Sequence, residues 1–317
     1  TDGIEIFTAA QKAGVEIGLE ASVAGGIPII KVIRESLVAN RIKSIYGIIN
    51  GTSNYILTKM TEENVEFSDA LQEAQDLGYA EADPTLDIEG IDSAHKLAIL
   101  ASLSYGIPIS YKDIHTEGIS KMSQQDIGFA SELGYKIKLL AIAKESDGEI
   151  ELRVHPTMLP KEYLISKVDG PFNAIYVVGD AVGSSLYYGR GAGDMPAGSA
   201  VVSDIVDIAR DIEKNVVGRV PILTRTSRDV RIKKMDDVWS RYYFRFSALD
   251  RPGVLSKISG ILGNYDISIA SVIQKGRRVG EAVPVVVLTH EAKEKDVKQA
   301  VYELSLIHIS EPTRQAE

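Results

Sequence analysis

The chain has 317 residues, 44% hydrophobic and 25% charged, enough for more than one compact domain with its own apolar core. A formal charge of −9 lacks the basic footprint of a nucleic-acid or anionic-lipid binder, so small molecules are the expected partners. The absence of cysteine excludes disulfides, thiolate metal sites and a cysteine nucleophile; with no apolar run of membrane-spanning length and no signal-like start, the expected location is cytoplasmic.

Ile4 to Ala13 reads as a helix and Val15 to Glu20 as a strand, so the chain is expected to begin inside an αβ unit and to lack a preceding segment. A small-residue turn, Ala21 to Pro28, leads to a helix over Ile29 to Val38, with the proline suited to the first helical turn. Arg41 to Ile49 reads as a strand, Asn50 to Asn54 as a turn, and the following residues as a helix through Met60. A helix over Phe67 to Leu77, capped by Ser68 and ended by Gly78, precedes an acidic loop from Tyr79 to Gly90. Ile91, Ala94, Leu97, Ala98 and Ala101 recur at helical spacing, predicting a largely buried helix over Ile91 to Tyr105.

Strand-like stretches at Lys138 to Lys144, Glu149 to His155, Ala174 to Val178 and Ser185 to Tyr188 predict an α+β domain whose helices cover one face of a sheet. The glycine turn Gly189 to Gly193 follows, then a helix from Pro196 with Val201, Ile205, Ile208 and Ile212 as its apolar stripe. Arg219 to Asp237 reads as a linker. Beyond it, the alternation of Tyr242, Phe244, Phe246 and Ala248, a helix from Val254, strands near Ile267 to Ile273 and Val283 to Leu288, and a helix over Lys295 to Leu304 give the order βαββα. That is a ferredoxin-like module missing its last strand. Leu306 to Glu317 breaks the preceding pattern and resembles translated sequencing-adapter read-through, so residues 306–317 are expected to be a non-native tail.

The densest polar group runs from Gly78 to Lys96, where five carboxylates precede one lysine. Asp92 and Lys96 stand at i and i+4 on the predicted buried helix, where both are costly unless paired or used. Glu81 and Asp87 can reach the same space from the loop. The bland alternative is an ordinary helix ion pair, and the spacing alone does not decide. The histidines His95, His115 and His155 show no metal-ligand spacing, and His95 reads as a packed helix residue.

The frame Ala74, Gly78, Asp83-Pro84, Asp87, Gly90, Asp92 and Lys96 resembles the signature of homoserine dehydrogenases. Glu20 to Pro28, Asn50 to Tyr55 and Gly189 to Gly193 extend the likeness, which covers roughly residues 1–305. Tyr242 to Gln274 resembles an ACT domain, an amino-acid-sensing module. The resemblance implies a division into a remnant of a Rossmann NAD(P)-binding domain (1–24), a catalytic α+β domain (25–195), a helix returning to the nucleotide-binding domain (196–217), a linker (218–240) and a ferredoxin-like ACT domain (241–305).

The family's chemistry is NAD(P)-dependent interconversion of L-aspartate 4-semialdehyde and L-homoserine, on the route to threonine and methionine. By resemblance, Lys96 is the proton donor and Asp92 positions it; Glu81, Asp87, Gly51 and Thr52 belong to the substrate pocket; Gly191 and Gly193 approach the nicotinamide. Glu20, with the carbonyls of Val23, Gly25 and Ile27, is expected to hold a sodium ion. Threonine is the expected effector, with isoleucine or methionine open, at Gly253, Val254, Leu255, Asn264 and Ile267 between paired modules of a homodimer or homotetramer. The GxGxxG dinucleotide fingerprint is absent from these 317 residues, so this chain alone is expected to be inactive. A non-catalytic amino-acid-binding regulatory protein without a nucleotide-binding domain is the alternative.

Overall fold

A computed structural model describes residues 3–216, 218–220, 230–275, 282–306 and 310–316. Helix α1 (Gly3–Ala13) opens the chain. The strand expected at Val15 to Glu20 does not form: it has no neighbouring strand among the described residues, and the Glu20 N–H donates instead to Asp204 at 2.9 Å. Glu20–Ser22 is a 3-10 turn, and α2 (Ile29–Lys31) runs on into a π-helical turn over Val32–Ser36. β1 (Ile42–Ile48) then leads into α3 (Gly51–Glu63). Residues 51–54 are thus helical rather than a turn, because Asn50 stays extended and its side chain accepts the Ser53 N–H at 2.8 Å as an N-cap.

In α4 (Phe67–Asp76) the cap position belongs to Glu66, which is extended, and Ser68 lies inside the first turn. Gly78, at φ +73°, turns the chain out of this helix. The acidic loop contains a short helix, α5 (Thr85–Ile88), before α6 (Ile91–Tyr105). His95 is exposed on α6, edge-on to Tyr111 at 4.4 Å, and is not packed in the interior.

β2 (His115–Thr116), α7 (Gln124–Glu132), β3 (Tyr135–Ser146), β4 (Glu149–Pro160), β5 (Phe172–Gly179) and β6 (Gly183–Arg190) complete the first unit. The strands are longer than the sequence indicates, since ladder bonds continue past the apolar stretches. Their order β4-β3-β1-β5-β6 is antiparallel throughout. Ile45, Leu139, Ala141 and Ile175 pack with residues of α3 and α6 in the main core, whereas Ile48, Leu140, Ile142 and Ala174, alternate in the strands, form a smaller cluster.

α8 (Asp194–Glu213) starts two residues before the predicted Pro196. Its stripe is not a core face: Val201, Ile205 and Ile212 are exposed, while Ile208 is half-buried beside a cavity of about 870 Å³ between α1, the 14–20 segment and α8. Residues 221–229 of the expected linker lie outside the described residues; Arg231–Ile232 (β7) pairs with β4, and Trp239–Ser240 (β8) pairs with Ala292 and Lys293.

The C-terminal module comprises β9 (Tyr242–Leu249), α9 (Val254–Asn264), β10 (Ile269–Gln274), β11 (Ala282–Thr289), β12 (Ala292–Lys293), α10 (Glu294–Leu306) and β13 (Ser310–Ala316). The strand expected to be missing is supplied by β13. It runs antiparallel to β9 and gives the order β10-β11-β9-β13, so the tail completes the ferredoxin-like sheet. Its other edge meets β4 in parallel, joining the two sheets into one of 11 strands.

Alternation along β9 serves both sides. Tyr242, Phe244 and Phe246 pack under α9 and α10, while Tyr243 joins the core of the first unit. No helix among the described residues is long and apolar enough to cross a membrane.

Candidate active site

Gly90, at φ +76°, turns the acidic loop into α6; a Cβ there would lie 3.2 Å from Val154 and 3.3 Å from Thr116. One helical turn then places Asp92 and Lys96 on the same face. The Lys96 ammonium donates to Asp92 Oδ2 at 2.7 Å and to the Ile49 carbonyl, at the end of β1, at 3.1 Å. An ammonium has three N–H bonds, and the third has no acceptor among the described residues, so it can serve a ligand. The two side chains are 22% and 29% exposed, which keeps the pair reachable.

Asn50 is the hub of this cluster. Its Nδ2 donates to Asp87 Oδ1 at 2.6 Å and to Asp92 Oδ2 at 2.9 Å, while its Oδ1 caps α3. Ser53 donates to the Asp87 carbonyl at 2.9 Å, and Thr52 to the Tyr79 carbonyl at 2.5 Å. The acidic loop is therefore fastened to the first turn of α3. Glu81 stands apart: it is exposed, its carbonyl accepts from Gln75, and its carboxylate has no hydrogen bond among the described residues.

The first turn of α3 is tied in turn to the segment entering β5. Asn54 Nδ2 donates to the carbonyls of Val168, Gly170 and Phe172 at 3.0, 2.8 and 3.1 Å. Buried Lys138 donates to Asn54 Oδ1 at 3.0 Å, the Val168 carbonyl at 2.7 Å and Asp169 at 2.9 Å. Burial lowers the Lys138 pKa against the pull of Asp169. Gly51 touches the same segment: a Cβ on it would sit 2.9 Å from the Pro171 carbonyl.

Of the expected GxGxG turn, Gly189 and Arg190 are still strand, and the chain leaves β6 at Gly191. An ideal Cβ on Gly191 would fall 2.0 Å from Nδ2 of Asn173, so only glycine fits there. Gly193, at φ +114°, precedes the first residue of α8. The Gly26 N–H donates to the Arg190 carbonyl at 2.9 Å, and a Cβ on Gly25 would lie 3.3 Å from the Gly191 carbonyl. The turns at 23–27 and 190–193 are thus stacked backbone against backbone, with the side chains of Pro196 and Asn173 against Gly26 and Gly191.

Glu20 is buried and its two carboxylate oxygens accept the N–H groups of Ile30 and Lys31, each at 2.9 Å, at the start of α2. Burial pushes its carboxyl above the ordinary range, opposed by those two N–H groups. Val23 and Ile27 are buried in the adjoining turn, where the Ile27 carbonyl accepts the Ile29 N–H at 2.7 Å. Among the described residues, no three acidic or histidine side chains gather as a metal site.

Gly253, Val254 and Leu255 line a cavity of about 360 Å³ with Arg251, Gln274 and Val285. Asn264 and Ile267 are not with them. Asn264 ends the 11-residue α9, roughly 16 Å along its axis from Gly253, and Ile267 is packed in the module's core.

Asn50, Ser53 and Asn173 are absent from the sequence-based site. Asn50 was within reach of capping rules, being the last extended residue between a strand and a helix. Nothing local marks Asn173, whose position follows from strand pairing with Gly189.

A family profile described as homoserine dehydrogenase matches residues 28–206, and one described as ACT domain matches residues 242–305. The chain is 51% identical over 302 residues to the homoserine dehydrogenase of Neisseria gonorrhoeae, spanning 94% of this chain and 69% of that protein. The crystal structure of a homoserine dehydrogenase from Thiobacillus denitrificans superposes with a TM-score of 0.93 at 48% identity, covering 99% of this chain and 73% of that one. A hyperthermophilic archaeal homoserine dehydrogenase in complex with NADPH superposes with a TM-score of 0.58 at 30% identity, covering 67% of this chain and 61% of that one.

Proposed function

Since the chain belongs to the homoserine dehydrogenase family and carries a C-terminal ACT domain, we propose that it supplies the substrate- and proton-handling part of NAD(P)-dependent interconversion of L-aspartate 4-semialdehyde and L-homoserine, on the route to threonine and methionine. The observation that carries this reading is the Lys96 ammonium, fixed by Asp92 and the Ile49 carbonyl with one N–H to spare. A nicotinamide, when bound, would supply the hydride chemistry at the substrate's reacting carbon. In the reductive direction the carbonyl's π electrons move onto oxygen, and Lys96 donates its free proton to that oxygen as charge develops. Asp92, held by Asn50, keeps the ammonium in place. Gly51, Thr52 and Asp87 border the substrate, and the exposed Glu81 carboxylate suits its α-ammonium.

The glycine turns at Gly25–Gly26 and Gly191–Gly193 suit a nicotinamide, because their backbones meet with no Cβ of their own between them. The segment up to residue 24 and α8 are assigned to face the nucleotide-binding domain, in keeping with the exposed apolar side of α8. A sodium ion is assigned to the carbonyls of Val23, Gly25 and Ile27, with Glu20 bracing the turn and contributing charge. Threonine is assigned to the cavity at Gly253, Val254 and Leu255, in a cytoplasmic homodimer or homotetramer whose second copy closes the site.

The test is Lys96→Ala in the full-length enzyme. Turnover is expected to fall by about 10²–10⁴-fold with the fold intact, the range for loss of a general acid. Near-normal turnover removes Lys96 from the chemistry.

A further inference from the structure

Asn173 lies between the two glycines to which opposite halves of the reaction are assigned. It is the second residue of β5, 1% exposed, and pairs in register with Gly189 at the end of β6. Its carboxamide lies against the Cα of Gly191: an ideal Cβ there would meet Nδ2, Cγ and Oδ1 at 2.0, 2.2 and 2.5 Å. On its other side, Oδ1 is 3.8 Å from where a Cβ of Gly51 would be. Yet Oδ1 is buried without a hydrogen-bond partner among the described residues.

Buried amide oxygens nearly always have a donor, and one left unmatched carries a desolvation penalty with no return. A donor from outside the chain is therefore called for at this spot. The reacting end of the aldehyde has no N–H or O–H to give, and the single O–H of the corresponding alcohol belongs to the oxygen assigned to Lys96. The nicotinamide ring carries a carboxamide with an NH₂ group, and Gly191 is by far the nearer of the two glycines. We infer that Asn173 Oδ1 accepts a hydrogen bond from the nicotinamide carboxamide and so fixes the rotation of the ring beside the Gly51 turn. Asn173 is on this view a cofactor-orienting residue, and the glycine at 191 is what lets its amide reach the ring.

This rests on the assignment of the Gly191–Gly193 turn to the cofactor. The test measures equilibrium binding by calorimetry in the full-length enzyme, with NADP⁺, its 3-acetylpyridine analogue, in which a methyl replaces the NH₂, and 2′-phospho-ADP-ribose, which lacks the nicotinamide. The unmodified enzyme should prefer NADP⁺ to the analogue by about fivefold or more, as for one neutral hydrogen bond. Asn173→Ala should abolish that preference, Asn173→Asp, which keeps an acceptor oxygen, should restore much of it, and both should bind 2′-phospho-ADP-ribose as the parent does. A preference that survives Asn173→Ala overturns the assignment. So does loss of 2′-phospho-ADP-ribose binding in both variants, which would make Asn173 a purely structural residue. If the unmodified enzyme binds neither NADP⁺ nor NAD⁺, the cofactor reading of the turn falls as well.

Discussion

The guanidinium of Arg245, on β9, grips the carboxylate of Asp126, on α7, through two N–H donors at 2.6 and 3.0 Å. The Tyr243 hydroxyl adds a third bond to Asp126 at 2.9 Å, and the Asp126 side chain is wholly buried. Burial and Asp126 together push the Tyr243 phenol far above its ordinary pKa, so it stays a donor. The ACT domain is thereby clamped to the helix that packs on β3 and α3, whose first turn holds Asn50.

Cutting this clamp on one side leaves a buried charge without its main partner. Arg245→Met is expected to cost about 3 kcal/mol, the lower end for breaking a buried pair by removing one member. A denaturant midpoint indistinguishable from that of the parent would show that the hydroxyls of Tyr243 and Ser123, which both donate to Asp126, suffice for it.

Asn50→Ala removes the donor to Asp87 and Asp92 and the cap of α3 in one step. Stability is expected to fall by about 1 kcal/mol through the lost cap. Turnover of the full-length enzyme should drop further than that, by about 10²-fold, because Asp92 loses its second anchor and the ammonium its fixed aim. Turnover that falls only in proportion to the folded fraction would reduce Asn50 to a cap.

Gly191→Ala should be far more damaging than a helical glycine-to-alanine change. The added Cβ falls on the buried amide of Asn173, an overpacking expected to cost about 1–3 kcal/mol. Gly128→Ala in α7 is the control: nothing lies within 4 Å of its Cβ position, and a gain of about 0.5–1 kcal/mol is expected. Thermal unfolding of the two variants should bracket the parent.

Acid should weaken the tie beneath α3. Burial raises the Asp169 carboxyl, but Lys138 and Lys136 outweigh it, so the folded pKa lies below the unfolded value of 3.8. With the folded value depressed, the contribution is complete above about pH 4 and is lost as pH falls through the folded pKa. Urea midpoints of the parent between pH 5 and pH 2.5, about this window, should decline more steeply than those of Asp169→Asn. Parallel declines would assign the acid sensitivity elsewhere.

How far the sequence could be read varied with the range of the interaction. The buried helix over Ile91 to Tyr105 declared itself through spacing alone, and its Asp92–Lys96 pair forms as an i, i+4 contact. Val15 to Glu20 has the composition of a strand but no strand to pair with among the described residues, and composition cannot report that. The exposed stripe of α8 has the period of a buried face, since periodicity says that a face will be covered without saying by what. The Asn50 cap is local, but its contacts to Asp87 and Asp92 are 37 and 42 residues away, and Asn173 meets Gly191 only across a strand pair. Short polar side chains of this kind look like turn residues until the fold supplies what they touch.

The segment from Val168 to Asn173 is fastened by the Asn54 amide at one end and abuts Gly191 at the other. Any shift of the substrate turn is therefore passed along one short peptide to the glycine turn assigned to the cofactor. Heritable changes on the two sides should not be independent: among descendants of this sequence, replacements at 54, 173 and 191 are expected to arise together or not at all.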